Sequence, residues 1–569
     1  MGATLTEADL PLQCLYRWER ERPNRIFLTQ PYGGGKVREW TWSQAAAEVR
    51  RMAAHLEAQS WAPGSRVAIL SKNCAWWILA DLAIWMAGHV TVPVYYSLKP
   101  LSARRILEHS ECRGCFFGPT EDPDAPRLGV PAGVHRVAFP NVTDSDSAVN
   151  WDEAIWTVEP IAGNRTRRAD ELATIIYTSG TTGAPKGVMH TFGSLAADTQ
   201  ALKDAVSPDA EDRFISYLPL AHIVERCGLE ITATVLGSRI FFVESIDTFV
   251  ADLKRAAPTI FLSVPRLLVK FQQGVFEKMP KKKLERLLRF PILGGIVRKK
   301  VLAGLGVTSV RLAASGAAPL PPDLLLWYRN LGLPLVEGYG MTETSITHLP
   351  KLNGVRPGYV GAALKSVETR ISDTGELLVR SPMNMAGYYR DPEGTRAAFD
   401  SDGFFHTGDL VVMDPDGQIR IVGRIKDQFK TSKGKYVAPA PIESRLLEHE
   451  AVEACCLMGA GLPSPFALVL LSPEMQEKCR DPKVRSELEA SLERQLEQVN
   501  QDLESHERVA FLAIVKGPWT IENGLMTPTF KIRRNNIENC YLEQIDAWRS
   551  QNRRVVWDEI AAKTTSQAS

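Results

Sequence analysis

The chain has 569 residues, and its 67 Lys and Arg against 66 Asp and Glu give a formal net charge of +1. At roughly 150 residues per domain this length predicts several domains, and 44% hydrophobic with 23% charged residues is typical of a soluble globular protein. The balanced charge argues against a dedicated nucleic-acid-binding protein, which would be strongly basic. Nine cysteines without the spacing of a disulfide framework favour reduced thiols in a cytoplasmic protein.

The first residues lack the basic stretch and apolar core of a signal peptide. Residues 74–94 are apolar and long enough to cross a bilayer, but Asp81, His89 and Pro93 interrupt them. We therefore expect a buried helix that leads into a buried strand, and no transmembrane segment.

Alternating apolar strands and helical patterns predict an α/β fold with a mostly parallel sheet. The strands are expected at 66–70, 90–94, 174–177, 239–243 and 259–263, and helices at 43–59 and 194–205. Beyond residue 355, short strands and Gly/Asp turns predict a smaller β-rich subdomain over about 355–423. A compact last unit with a charged helix over 481–504 follows. We predict an N-terminal domain over 1–423, a hinge at 424–426 and an α+β C-terminal domain over 427–569.

The segment 277–300 is locally basic, with nine Lys and Arg against two Glu. Leu284, Leu287, Leu288 and Phe290 interleave with these charges. A solvated helix face is the favoured interpretation. The alternative is peripheral contact with an anionic membrane surface.

The densest motif is Tyr177-Thr-Ser-Gly-Thr-Thr-Gly-Ala-Pro-Lys-Gly187, between an apolar strand and a helix. Its glycines allow tight turns that bring backbone N–H groups close to an anion. Hydroxyl groups and one cation add to these donors, so the motif predicts a polyphosphate site. Its residues are Thr178, Ser179, Gly180, Thr181, Thr182, Gly183 and Lys186. The ATPase P-loop differs, because it needs Ser or Thr directly after the lysine.

A second motif is Glu337-Gly-Tyr-Gly-Met-Thr-Glu-Thr344. Two glycines flank Tyr339 and could expose its ring for stacking on a base. Glu343 offers the hard oxygen that Mg²⁺ on a nucleotide prefers. The alternative is that Tyr339 packs in the core and Glu343 forms a surface ion pair.

Two further motifs follow. Asp409, placed by a Gly turn, could accept both hydroxyls of a ribose, and Arg424, 15 residues on across a hairpin, could reach the same sugar. Near the C-terminus, Thr527-Pro-Thr-Phe-Lys531 is followed by Arg533 and Arg534. A cation at Lys531 could neutralise charge that develops on a phosphate or carboxylate. A surface basic cluster is the alternative for this segment.

Together and in this order, the motifs closely resemble the adenylate-forming superfamily of acyl-CoA synthetases, luciferases and peptide-synthetase adenylation domains. Tyr217-Leu-Pro-Leu-Ala-His222, Ser263-Val-Pro-Arg266 and the Thr-Pro-Thr-Phe-Lys531 ending are most similar to long-chain fatty acyl-CoA synthetases. The resemblance implies a large N-terminal α/β domain with a mobile C-terminal domain. It also implies two steps: a fatty acid and ATP give acyl-AMP and pyrophosphate with Mg²⁺, and coenzyme A then displaces AMP.

The resemblance also implies roles for individual residues. Thr178 to Lys186 would hold the phosphates, Glu343 would bind Mg²⁺, and Tyr339 would stack on adenine within the Glu337, Gly338 and Gly340 motif. Ser315, Gly316 and Ala317 would line the junction of nucleotide and acyl group, with Thr342 near the α-phosphate. Asp409 and Arg424 would bind the ribose, and Lys531 would stabilise the adenylation transition state. His222 would lie beside the acyl carboxylate, with a satisfied core histidine as an equal alternative.

Finally, the resemblance implies that the C-terminal domain rotates about Lys426 between the two steps, replacing Lys531 in the site with the turn Lys433-Gly434-Lys435. Two alternatives in function stay open. One is delivery of the acyl group to a carrier protein, and the other is an aryl or other bulky acid as substrate. The oligomeric state is not predicted.

Overall fold

The computed structural model describes residues 6–122, 124–140, 142, 148–178, 185–520, 523–527 and 531–558. The strands are β1 Ile26–Pro31, β2 Val37–Thr41, β3 Arg66–Leu70, β4 Val90–Val94, β5 Gly114–Phe117, β6 His135–Ala138, β7 Val149–Asn150, β8 Leu172–Thr178, β9 Lys186–Thr191, β10 Arg213–Ser216, β11 Arg239–Phe242, β12 Ile260–Ser263, β13 Leu312–Ser315, β14 Leu335–Glu337, β15 Tyr339–Met341, β16 Ser345–Leu349, β17 Ala362–Ala363, β18 Glu368–Ile371, β19 Glu376–Arg380, β20 Gly387–Tyr388, β21 Phe405–Met413, β22 Ile419–Arg424, β23 Phe429–Lys430, β24 Tyr436–Val437, β25 Val452–Met458, β26 Phe466–Leu471, β27 Leu512–Val515 and β28 Val555–Trp557.

The helices are α1 Pro11–Glu21, α2 Trp42–Ala58, α3 Ala75–Met86, α4 Pro100–His109, α5 Ala125–Gly129, α6 Trp151–Trp156, α7 Phe192–Val206, α8 Ile223–Glu225, α9 Thr232–Leu236, α10 Phe249–Ala256, α11 Pro265–Lys278, α12 Lys281–Leu288, α13 Pro291–Leu305, α14 Pro322–Leu331, α15 Pro392–Ala398, α16 Pro439–Leu446, α17 Pro473–Lys478, α18 Pro482–Gln501, α19 Arg534–Tyr541 and α20 Ile545–Ser550. A π-helical turn, Arg226–Ile231, joins α8 to α9.

Some helices, α2 and α18 among them, start at a side chain that caps free backbone N–H groups. The Thr41 hydroxyl accepts a hydrogen bond from the Gln44 amide at the start of α2, and the Gln44 side chain returns the contact. Asp481 caps α18 by accepting from the Lys483 amide. The helices predicted at 43–59 and 481–504 are thus present with slightly different ends.

The largest sheet has eight strands in the order β20-β9-β8-β4-β3-β5-β6-β7. Five of its pairings are parallel, and only the β9 and β20 edge is antiparallel. The predicted α/β class with a mostly parallel sheet is confirmed.

Residues 74–94 form α3 followed by β4, and every residue of both elements is buried. Asp81, which interrupts the apolar run, accepts a hydrogen bond from Arg226 at 2.8 Å within the core. The expectation of a buried helix and strand is confirmed. Across the described part of the chain, no helix combines the length and the apolarity needed to cross a membrane.

A second, three-stranded sheet, β12-β13-β14, is parallel throughout. Its register places Ser263, Ser315 and Glu337 side by side at the carboxyl ends of the strands. Ligands of open α/β sheets bind at such strand ends, so this edge positions the candidate site.

The predicted β-rich subdomain contains the antiparallel sheet β18-β19-β21-β22. Not all of its strands belong to that sheet. β17 pairs with β16, and β20 crosses to the eight-stranded sheet, where it pairs with β9. This crossing brings Tyr388 next to the phosphate-loop strands.

The last part of the chain builds its own sheet, β25-β26-β27-β28, and two apolar clusters lie on its two faces. Both clusters consist of residues between Phe429 and Val556. The Arg534 side chain is only 14% exposed there: it donates to the Glu443 carboxylate at 2.7 Å and to the Leu457 carbonyl at 2.6 Å. The alternative of a surface basic cluster is therefore wrong for Arg534.

Candidate active site

The polyphosphate motif connects two paired strands. Thr178 ends β8 and Lys186 begins β9, and the two residues are register partners. The intervening Ser179, Gly180, Thr181, Thr182 and Gly183 lie outside the described residues. The pairing fixes both ends of the loop at the same edge of the large sheet.

Lys186 and Glu343 both contact the side chain of Tyr388, a residue that no sequence motif indicated. The Lys186 ammonium lies 4.5 Å from the centre of the Tyr388 ring, a cation–π distance. The Tyr388 hydroxyl donates to Oε1 of Glu343 at 3.1 Å. Burial raises the pKa of Glu343, and the backbone, Tyr388, Arg424 and Lys186 oppose that rise. One aromatic side chain thus holds the expected phosphate ligand and the expected metal ligand.

The segment that carries Thr342 and Glu343 is held from two sides. Nε2 of buried His190 lies 2.7 Å from the Thr342 carbonyl oxygen, and the Met385 amide donates to the Glu343 carbonyl at 2.7 Å. Burial lowers the pKa of His190 to about 4, so the neutral ring donates through Nε2. At Gly340 a Cβ would lie 2.1 Å from the Ser345 carbonyl oxygen, so this hairpin turn requires glycine.

The expected ribose ligands are adjacent. Asp409 on β21 and Arg424 on β22 are register partners, and Nε of Arg424 donates to Oδ1 of Asp409 at 2.7 Å. The Tyr339 hydroxyl donates to Oδ2 at 2.6 Å. Tyr339 is buried, and its ring packs edge-on against His348. Tyr339 therefore packs in the core, as one of the two alternatives for this residue states, and its stacking on a base stays a prediction.

At the edge of the three-stranded sheet, the Ser315 hydroxyl is buried and has no hydrogen-bond partner among the described residues. Ala317 adopts a φ of 66°, a left-handed conformation that is rare outside glycine and often found at functional sites. Gly316 lies against the Gly338 carbonyl, and the Glu337 carboxylate accepts from the Leu320 amide at 2.8 Å. Burial raises the pKa of Glu337 to about 7. Glu337 thus holds the loop over residues 316–320 through this hydrogen bond to Leu320.

His222 caps α8, where its Nδ1 accepts a hydrogen bond from the Val224 amide. Burial and the nearby Lys531 charge lower the pKa of His222 to about 3, so the ring is neutral. Because Nδ1 accepts, Nε2 carries the proton, and Nε2 has no partner among the described residues. The ring can therefore donate one hydrogen bond to an anion.

Lys531 lies near charged groups that precede the last sheet along the chain. Arg424, Asp409 and Glu343 are close enough to its ammonium group to influence its pKa. Solvent reaches the side chain, yet the enclosing protein and the Arg424 charge lower the pKa of Lys531. Lys426 is exposed in a short helical turn just after β22, and Lys433 and Lys435 are exposed in the turn between β23 and β24.

One ion pair joins the two sides of the cleft away from these groups. Arg266, at the start of α11, donates to Glu453 on β25 at 2.6 Å. Sequence reasoning missed Glu453, Tyr388, His190 and the Glu443–Arg534 pair. Their partners are 45 to 187 residues away along the chain, so no local spacing could have indicated them.

The AMP-binding enzyme family matches residues 15–389, and the AMP-binding enzyme C-terminal domain matches residues 426–553. A long chain acyl-CoA synthetase 7 of Arabidopsis thaliana is 30% identical, covering 92% of this chain and 83% of the relative. The long-chain-fatty-acid–CoA ligase FadD15 of Mycobacterium bovis is 29% identical, covering 96% and 98%. Long-chain-fatty-acid–CoA ligase 6 of Mus musculus is 30% identical, covering 84% and 78%.

Among solved structures, the adenylation domain of a carboxylate reductase from Mycobacterium chelonae matches with a TM-score of 0.80 at 22% identity, covering 95% of this chain and 91% of that one. The corresponding domain from Segniliparus rugosus, in complex with AMP and a carboxylic acid, matches with a TM-score of 0.80, covering 95% and 94%. These structures share the fold. With both family matches along its length, the chain belongs to the AMP-binding enzymes.

Proposed function

We propose that the protein is an ATP-dependent long-chain fatty acid–CoA ligase. The fatty acid carboxylate attacks the α-phosphorus of ATP, the bond to the β-phosphate breaks, and acyl-AMP and pyrophosphate form. The CoA thiolate then attacks the acyl carbon, and the bond to AMP breaks. The observation that carries the proposal is that Lys531 lies within electrostatic reach of Glu343 and Asp409. The chain matches long-chain acyl-CoA synthetases and ligases over most of their length.

The nucleotide would lie along the N-terminal side of the cleft. Asp409 and Arg424 would hold the ribose, and the Tyr339 ring would contact adenine while its hydroxyl keeps Asp409 in place. The loop from Thr178 to Lys186 would hold the β- and γ-phosphates through N–H groups, hydroxyls and the lysine. Thr342, held by His190, would face the α-phosphate.

Mg²⁺ fits the oxygen that Glu343 offers to this cleft. The Tyr388 hydroxyl occupies Oε1 and leaves Oε2 for the ion, and Mg²⁺ on nucleotides is commonly bound by one or two carboxylates plus phosphates. When bound, the ion would neutralise phosphate charge. Coenzyme A would be the acyl acceptor.

The acyl carboxylate would lie between Ser315, Ala317 and His222. The buried Ser315 hydroxyl and the His222 Nε2–H are both free to donate to it among the described residues. Gly316 would let the substrate approach the backbone. No covalent enzyme intermediate is needed, so catalysis would depend on positioning and on charge neutralisation. Lys531 would neutralise the charge that develops as the carboxylate attacks.

We place the domain boundary at residue 423, the hinge at 424–426 with Lys426 as its pivot, and the mobile domain at 427–569. The separate apolar clusters after Phe429 support this division. Rotation about the hinge would withdraw Lys531 and bring in Lys433 and Lys435 for the CoA step. The nine free cysteines support a cytoplasmic location.

The test separates the two steps with Lys531→Ala. Acyl-AMP formation, measured by ATP–pyrophosphate exchange with long-chain acids, should fall by about a hundredfold or more because one preorganised charge is lost. Thioester formation from supplied acyl-AMP and CoA should stay near the unmodified rate. Equal loss of both steps would contradict the role of Lys531.

The substrate is tested by AMP release from a panel of acids from acetate to oleate, with and without CoA. CoA-dependent turnover that peaks at long chains is expected. Acyl-AMP that CoA does not discharge would point to a carrier-protein acceptor, and no turnover would point to aryl or other bulky acids.

A further inference from the structure

An exposed apolar ridge lies at the turn between α12 and α13. It consists of Phe290, Ile292, Leu293 and Ile296, whose exposed fractions are 54%, 84%, 44% and 60%. Apolar side chains that are exposed singly are ordinary, but a contiguous group of this kind marks an interaction site. The ridge takes no part in the adenylation cleft.

The fold holds this ridge outward. Leu284 of α12 and Val297 of α13 are buried and anchor the two helices to the body of the protein. At Gly294 a Cβ would lie 2.7 Å from the Leu288 carbonyl oxygen, so glycine lets the helices meet in a tight turn. Ile292 and Ile296 are four residues apart and therefore share one face of α13.

The leucines that the sequence pattern placed among the charges behave differently from this ridge. Leu284 is buried, and Leu287 and Leu288 are half-buried. They attach the segment to the protein. The favoured interpretation, a solvated helix face, leaves the exposed Ile292 and Ile296 without a role.

Cations surround the ridge. Segment 277–300 carries Lys278, Lys281, Lys282, Lys283, Arg286, Arg289, Arg298, Lys299 and Lys300 against two glutamates. Lys281 to Lys283 precede the ridge along the chain, Lys299 and Lys300 follow it, and all five are exposed. Within the described ranges, none of the nine forms an ion pair. Arg298 donates to the Asn330 and Leu288 carbonyls, so the charge available to an anionic partner lies on the other eight.

We propose that this ridge and its basic surround dock the protein on an anionic lipid bilayer. Branched aliphatic and aromatic side chains would enter the boundary between headgroups and acyl chains. The lysines would contact anionic headgroups while their aliphatic stems cover the apolar edge. An acidic protein would pair with the cations, but a ridge of protruding isoleucines fits the interior of a bilayer better than a polar protein surface.

The position of the ridge suits the proposed function, on which the choice of a lipid surface rests. Ser263 is the register partner of Ser315 at the candidate site, and α11 begins two residues later. α11 spans about 21 Å at 1.5 Å per residue and ends just before α12. A docked enzyme would hold its cleft about one helix length from the membrane in which long-chain fatty acids dissolve.

The test uses the full chain and sedimentation with phosphatidylcholine vesicles, with and without phosphatidylglycerol. Binding to the anionic vesicles is expected, with weaker binding to neutral ones and loss at high salt. Ile292→Ser with Ile296→Ser should weaken binding by at least about tenfold, given the apolar area lost. Lys281→Gln, Lys282→Gln and Lys283→Gln together should weaken it by roughly a hundredfold, at about fivefold per charge.

Leu101→Ser is the matched control, because Leu101 is as exposed as Ile296 but lies on α4, outside the ridge. It should bind vesicles like the unmodified chain. Unweakened vesicle binding by the isoleucine and lysine variants would overturn the proposal. It would also be overturned if the unmodified chain did not bind vesicles and bound an acidic carrier protein.

Vesicle binding needs no ATP, so it is independent of the proposed activity. The ridge variants should keep their turnover of a water-soluble medium-chain acid and lose it only on vesicle-borne long-chain acid. Failure of the unmodified chain to form any thioester would contradict the ligase proposal and leave the vesicle result standing.

Discussion

At the scale of single residues, Tyr388 connects Lys186 and Glu343, the proposed phosphate and metal ligands. Tyr388→Phe removes only its hydroxyl and keeps the ring beneath Lys186. Groups that orient a metal ligand typically contribute about tenfold or more in metal affinity. We therefore expect the Mg²⁺ concentration for half-maximal ATP–pyrophosphate exchange to rise by about tenfold, with the KM for fatty acid unchanged.

Tyr389→Phe is the control for this experiment. It removes a hydroxyl one residue away, from a ring that packs against His109 and does not contact Glu343. If both variants change the Mg²⁺ dependence, or if neither variant changes it, then Tyr388 has a packing role only. A lower melting temperature without a change in Mg²⁺ dependence leads to the same conclusion.

The role proposed for Lys531 would make the adenylation step sensitive to alkaline pH. Its pKa is lowered from the usual 10.5 by the enclosing protein and by Arg424. As pH rises through this lowered pKa, the ammonium loses its proton and its charge. We expect kcat/KM for ATP in the exchange reaction to decline with rising pH, and the decline to begin at a pH lower than 10.5. This parameter reports the ionisation of groups in the free enzyme.

Lys531→Arg checks the assignment, since a guanidinium stays protonated throughout this range. The variant should keep a flat alkaline limb, even if its overall rate is lower. An unchanged alkaline decline in Lys531→Arg would assign the pH dependence to another group.

Sequence reasoning found residues that lie within motifs and missed those that support them. Asp409 and Arg424 were predicted to meet across a hairpin, and the structure pairs them directly. Tyr388 was missed because the strand that carries it crosses from one sheet to another. His190 was missed because its partner, the Thr342 carbonyl, is backbone and 152 residues away.

At the scale of elements, the sequence pattern predicted a helix correctly where the helix is wholly buried or where its N-cap residue directly precedes it. α3 and α18 illustrate this: the first is buried on every face, and Asp481 caps the second. In the basic segment 277–300 the two interpretations of the pattern, a solvated helix face and membrane contact, both stay predictions. The exposed ridge itself depends on how α12 and α13 meet at Gly294. Such a turn is a property of two packed elements.

At the scale of the whole molecule, the C-terminal part of the chain lies in an arrangement that would suit the proposed adenylation step. Lys531 faces Glu343 and Asp409, while Lys433 and Lys435 lie exposed elsewhere. Arg266 and Glu453 form an ion pair across the cleft, at a distance of 2.6 Å. Because the CoA step is proposed to need a rotated domain, this contact favours one of two states.

Glu453→Gln should therefore shift the balance between the two steps. The side chains are partly exposed, so the ion pair contributes up to about 1 kcal/mol, which corresponds to roughly a fivefold change in population. We expect ATP–pyrophosphate exchange to slow by about two- to fivefold and thioester formation from supplied acyl-AMP to be unchanged or faster. Glu450→Gln, an exposed neighbour, should leave both rates unaltered. A parallel decrease of both rates in Glu453→Gln would show that the ion pair stabilises the fold without selecting between domain arrangements.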